Sequence, residues 1–190
     1  MADARVLAMH RNVCVFCGSR DGDGEAFARL AEDFGAAIGQ RGWTLVYGGG
    51  TLGLMGRIAQ ATQRHGGRVV GVIPEAMDSV EVAYRDAEEL IVVDTMRCRK
   101  QIMDDRADAF VVLPGGFGTL EELSEVITHR YLDYHAKPVI LLNHDGFYDP
   151  LIELFEHFIG RGFAGTRFRD AYVVTDDVEA TLAALEAIEA

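Results

Sequence analysis

The chain has 190 residues, 49% apolar and 25% charged, enough to build one domain with a sizeable core. Lys plus Arg is 18 against 30 Asp plus Glu, and the net charge of −12 argues against binding to nucleic acid or an anionic membrane. A small anionic ligand stays compatible, because a few arginines beside backbone donors can hold a phosphate against the overall field. No segment approaches the roughly 18 apolar residues of a membrane span. Met1 to Asn12 carries charges without the apolar stretch of a signal peptide, so a cytoplasmic location is expected.

Along the chain, short β-branched runs alternate with segments of helical period. Residues 12–17 read as a strand and 24–40 as a helix with Phe27, Leu30, Phe34, Ala37 and Ile38 on one face. A strand over 43–47 leads into a glycine cluster and a helix over about 53–65. A strand over 68–73 is stopped by Pro74, and 74–88, without clear periodicity, reads as a loop with one helical turn. A short strand at 90–93 precedes a helix over 96–107. The strongly apolar strand 109–113 runs into Pro114-Gly115-Gly116 and a helix to about Tyr134. A strand at 138–142, a helix at 149–160, a strand at 172–174 and a helix at 177–188 complete the chain. The alternation predicts a single α/β domain over 1–190 with a doubly wound parallel sheet.

The three cysteines are too few for a disulfide framework. Cys14 and Cys17 spell C-x-x-C, but inside an apolar strand, where residues three apart face opposite sides. A redox pair belongs at a helix start; these read as buried thiols.

In doubly wound sheets ligands sit beyond the carboxyl ends of the strands. Three loops there stand out. Gly48-Gly49-Gly50-Thr51-Leu52-Gly53-Leu54-Met55-Gly56 follows the second strand and suits close approach of backbone amides to a phosphate, or else a tight turn chosen for helix–strand packing. It fits G-x-G-x-x-G, but a dinucleotide fingerprint follows the first strand, and no G-K-[ST] marks a P-loop. Leu113-Pro114-Gly115-Gly116-Phe117-Gly118-Thr119-Leu120-Glu121-Glu122 places glycines and a threonine at a helix start, an anion nest by the same physics. Thr119-x-x-Glu122 equally fits a capping box, with Thr119 as N-cap. Met96-Arg97-Cys98-Arg99-Lys100 puts cations at a helix N-terminus, which opposes the macrodipole unless an anion is near; a solvated basic turn fits as well.

On these residues the chain resembles the Lonely Guy family of cytokinin-activating phosphoribohydrolases, whose members are often labelled lysine decarboxylase. Pro114 to Glu122 matches the P-G-G-x-G-T-x-x-E signature, and Arg99-Lys100 matches the family's Arg-Lys pair, as does the 23-residue interval from Arg99 to Glu122. The Gly48–Gly56 loop and the start Cys17-Gly18-Ser19 fit too. The resemblance implies a Rossmann-like homodimer that hydrolyses the N-glycosidic bond of N6-modified adenosine 5′-monophosphates, without cofactor. By position it implies Arg99 and Glu122 as the catalytic pair. It also implies Glu81, Lys100, Gly115, Gly116, Phe117, Gly118, Thr119, Leu120, Glu121 and Thr128 as substrate contacts, beside Ser19, Gly48 and Gly49. Arg97 departs from the family, which often has His there.

A carboxylate such as Glu122 suits this chemistry, because breaking a ribosyl–purine bond passes through an oxocarbenium-like state. Pyridoxal phosphate chemistry needs a Schiff-base lysine, and only Lys100 and Lys137 are available. The six histidines show no metal-ligand spacing, so no metal is expected. Two other functions stay open: a general purine-monophosphate nucleosidase of salvage, and a non-catalytic carrier of a nucleotide-like ligand such as molybdenum cofactor.

Overall fold

The computed structural model describes residues 11–78 and 82–187. Seven strands, β1 (Asn12–Phe16), β2 (Thr44–Tyr47), β3 (Arg68–Pro74), β4 (Glu89–Val93), β5 (Ala109–Val112), β6 (Val139–Leu142) and β7 (Val173–Thr175), form one sheet. Their order is β4-β3-β2-β1-β5-β6-β7, and every ladder is parallel. Central β1 pairs Val13 with Leu45 on one side and with Ala109 on the other. The inner strands are covered on both faces, so Ala109–Val112 and Val139–Leu142 are apolar throughout and wholly buried.

Helices α1 (Glu25–Gln40), α2 (Gly53–Arg64) and α6 (Val178–Glu186) cover one face, with Phe34, Ile38, Ile58 and Leu185 packed on Val13, Val15 and Leu45. Helices α3 (Met96–Arg106), α4 (Phe117–Tyr131) and α5 (Asp149–Gly160) cover the other, where Met103, Leu123 and Ile127 meet Phe16, Val72 and Phe110. The pleat of β1 sends Cys14 into this second core and Cys17 into the first, so the C-x-x-C thiols lie on opposite faces. Burial pushes both thiols well above their ordinary range.

Several boundaries differ from those expected. Pro74 is the last paired residue of β3, opposite Val93, rather than a stop before it. A proline is tolerated there because its missing donor falls at the end of the ladder. Helix α4 ends at Tyr131, where Asp133 turns to φ 61°, rather than continuing to Tyr134. The expected turn after Pro74 is a 3-10 turn over Glu75–Met77. Two further ones, His144–Gly146 and Thr166–Ala171, carry no periodic signal in the sequence.

The crossovers from β1 run outward to β4, and the chain then returns to add β5 on the other side of β1. The connections after β1 and after β5 therefore diverge to opposite faces and open a crevice between them.

Candidate active site

A cleft of about 670 Å³ fills that crevice. Its walls are the loop after β1, from Cys17 to Asp23, and the loop after β5, from Pro114 to Thr119; Arg99 and Glu122 also line it. The walls are joined at their base, where the Gly18 amide donates to the Pro114 carbonyl at 3.0 Å and the Met55 amide to the Gly18 carbonyl at 3.3 Å.

Arg99 and Glu122 form an ion pair of 3.1 Å between Nη1 and Oε1, and the two residues are only 9% and 7% exposed. Arg99 is one turn into α3, whose N-cap Thr95 accepts from the Cys98 amide. Its Nε donates to the Val72 carbonyl at 3.1 Å, which fixes the guanidinium across the end of the sheet. The side chain runs over Gly48, where a Cβ would stand inside the guanidinium. Gly48 thus serves the placement of Arg99. Burial raises the Glu122 carboxyl above the usual carboxylate range, with Arg99 pulling the other way and Glu121 adding to the rise.

The capping-box expectation is overturned. Helix α4 begins at Phe117 with Gly116 as N-cap and no side-chain cap, so Thr119 lies inside the first turn. Glu122 cannot reach back as a capping partner and turns to Arg99 instead. The helix start consequently presents amides to the cleft without a protein side chain to satisfy them, an arrangement suited to an anion.

Of the residues proposed from sequence, Ser19, Arg99, Gly115, Gly116, Phe117, Gly118, Thr119 and Glu122 line this one cleft. Others lie elsewhere. Lys100 is turned away: its Nζ is held between Glu121 and Glu125, and its charge is stabilised by them against the cost of burial. Glu121 is thereby committed to Lys100. Leu120 does not line the cleft; its amide closes the first α4 bond onto Gly116. Thr128, with its hydroxyl bonded to the Ser124 carbonyl, borders a separate apolar groove with Phe155 and Phe158. Gly49 packs against Val72 and Ile73. Glu81 lies outside the described residues. Arg97 is exposed on α3, near Lys100 and His129.

The cleft also holds residues that no motif flagged: Arg20 and Asp21 after β1, and the apolar Phe27, Met77 and Phe147. Met55 and Met96, from the two other singled-out loops, line it as well. Asp21 is clamped by Arg57, at 2.7 and 3.2 Å, and Arg57 also binds Glu32 at 2.8 Å. The available signal was positional, since the loop after the first strand borders the crevice in this topology. Neither lysine lines the cleft, Lys137 being paired with Asp104 at 2.8 Å, so no Schiff-base lysine faces it. Among the described residues no cluster of His, Cys, Asp and Glu could hold a metal ion, and no helix is long and apolar enough to cross a membrane.

Comparison with known proteins bears on the family and the fold. Residues 55–185 match the family model described as "Possible lysine decarboxylase". A cytokinin riboside 5′-monophosphate phosphoribohydrolase of Rhodococcoides fascians is 44% identical over 176 residues, covering 92% of this chain and 89% of its own. One of the same name from Mycobacterium tuberculosis is 45% identical over 172 residues, covering 90% and 91%. One from Arabidopsis thaliana is 43% identical over 176 residues, covering 93% and 83%. Among solved structures, the molybdenum cofactor binding protein of Rippkaea orientalis superposes with a TM-score of 0.73 at 20% identity, covering 95% of this chain and 98% of its own. The molybdenum cofactor carrier protein of Chlamydomonas reinhardtii superposes with a TM-score of 0.71 at 24% identity, covering 94% and 97%. These carriers share the fold; the level of identity with the phosphoribohydrolases, sustained along nearly the whole chain, is what places it. The chain belongs to the Lonely Guy family, the phosphoribohydrolases whose family model still bears the lysine decarboxylase description.

Proposed function

We propose that the protein hydrolyses the N-glycosidic bond of N6-modified adenosine 5′-monophosphates, releasing the free base and ribose 5-phosphate. The observation that carries this is the buried Arg99–Glu122 pair in a cleft whose wall includes an uncapped helix start. With the phosphate on the α4 amides, the ribose lies between that anchor and the base. Glu122 then faces the anomeric carbon, where its carboxylate stabilises the oxocarbenium-like state and takes a proton from the attacking water. Arg99 keeps Glu122 oriented and favours its ionised form. Phe27, Met55 and Phe147 supply an apolar wall for a purine with an N6 substituent, Phe27 and Phe147 meeting edge to face at 5.5 Å.

The same proposal includes a homodimer. Helix α5 has no buried residue, and with α4 it borders an apolar groove of about 510 Å³ lined by Ile127, Phe155, Phe158 and Phe163. Phe163 is 89% exposed and Phe158 41%, a patch whose cover by a second copy fits the apolar character of stable dimer interfaces. A cytoplasmic setting suits the three free thiols.

The test is incubation with AMP and with isopentenyl-AMP, reading free base and ribose 5-phosphate. Absence of both products from both substrates would favour a non-catalytic carrier, as in the structural neighbours.

A further inference from the structure

We propose that Arg20 is the side chain that grips the 5′-phosphate, an inference that rests on the nucleoside monophosphate substrate proposed above. A monoester phosphate carries about 1.5 to 2 negative charges near neutral pH. It has to enter a protein of net charge −12, and a cleft that Asp21, Asp23 and Glu122 also line. Backbone amides orient such a group but supply no full positive charge.

The cations near the cleft are nearly all committed. Arg99 is buried on Glu122 and the Val72 carbonyl. Lys100 is held by Glu121 and Glu125 outside the cleft, and Arg57 by Asp21 and Glu32. Arg20 differs. It lines the cleft, is exposed, and has no hydrogen bond or ion pair with any described residue.

Its main chain, by contrast, is fixed. Two residues earlier Gly18 is bonded to both Pro114 and Met55, and the Arg20 backbone lies so close to Gly53 that a Cβ there would collide with it. A rigid stem at the junction of the two cleft walls thus carries a free guanidinium. Its planar fork matches two phosphate oxygens at once, which a lysine at the same place does not reproduce. The substrate class that follows is the phosphorylated nucleoside over the bare one.

The test is Arg20→Ala and Arg20→Lys, with AMP and adenosine titrated calorimetrically into each protein and KM and kcat measured for the monophosphate. Arg20→Ala is expected to weaken AMP binding and raise KM by about 10- to 100-fold, the range of a hydrogen bond to a charged group. Adenosine affinity and melting temperature should stay near wild type, and Arg20→Lys should restore part of the loss. Unchanged AMP affinity in Arg20→Ala, or an equal loss for adenosine, overturns the assignment. Calorimetry keeps the two proposals apart: a wild-type protein that binds AMP but releases base from neither AMP nor isopentenyl-AMP ends the hydrolase proposal, while the Arg20 comparison still stands or falls by affinity.

Discussion

The guanidinium of Arg99 occupies the space that a side chain on Gly48 would need, so a glycine at the end of β2 and an arginine on α3 are fitted as one unit. Gly48→Ala should push Arg99 off Glu122 and the Val72 carbonyl. We expect a stability loss of about 1–3 kcal/mol, the usual cost of overpacking, and a drop in turnover far larger than that destabilisation explains. Thermal melting beside steady-state kinetics checks it; full activity in Gly48→Ala would show that Arg99 need not stay where it is.

Glu122→Gln keeps size and hydrogen bonding but removes the charge. If Glu122 is the catalytic carboxylate, kcat should fall roughly 10²–10⁴-fold, while AMP still binds through the α4 amides. A Gln variant turning over at near wild-type rate ends the catalytic assignment.

Because burial raises the Glu122 carboxyl, the acid side of the activity profile should lie above the ordinary glutamate value of about 4.3. Activity needs the carboxylate, so kcat/KM rises with pH through that displaced midpoint, and the limb disappears in Glu122→Gln. The linked stability has the opposite sign. A carboxyl whose folded value is raised favours the fold below its unfolded value, and that advantage is lost as pH rises through the folded one. Wild type should therefore lose ground to Glu122→Gln as pH increases across that window, which denaturation curves at a series of pH values can follow. A wild-type acid limb at the ordinary glutamate value would remove the link between burial and turnover.

Gly118 lies in the first turn of α4, and a Cβ there would meet no protein atom. Packing does not demand a glycine at this place, whereas a ligand seated on the helix start would. Gly118→Ala should melt no lower than wild type, gaining up to about 0.5–1 kcal/mol of helix propensity, yet raise KM for the monophosphate. An unchanged KM would mean that the ligand does not approach this turn.

Light scattering at micromolar concentration tests the dimer. Twice the chain mass is expected, and Phe158→Glu should shift it toward a monomer. A wild-type mass near 20.8 kDa would remove the second copy from the groove.

The sheet was legible because inner strands such as Ala109–Val112 are unbroken apolar runs, and the α4 loop because Gly115 and Gly116 stand between strand and helix with Gly118 just inside it. The capping box misled because Thr-x-x-Glu spacing marks a helix start only when nothing upstream begins the helix earlier, and here α4 starts two residues before Thr119, with Gly116 as N-cap. Arg99 and Lys100 read as one pair, yet neighbours on a helix point about 100° apart, so one can face the cleft while the other meets Glu121 and Glu125. Thr128 stands six residues after Glu122, which puts it on another side of α4. Arg20 was invisible for a different reason: its importance comes from the partners of other cations, and those exist only in three dimensions.

The strand order has a consequence for how the molecule is made. Residues 12–93 can pair as β4-β3-β2-β1 before β5 exists, leaving one side of β1, the run Val13-Cys14-Val15-Phe16, without a neighbour. That half-sheet is a sticky template during synthesis, since an open apolar edge invites pairing with other chains. Docking of Ala109–Val112 closes the edge and, by the same step, brings Pro114 to Gly18 and builds the cleft. Competence to bind nucleotide and protection from aggregation therefore arrive together, and a chain cut after Asp108 should precipitate on release where the full chain stays in solution.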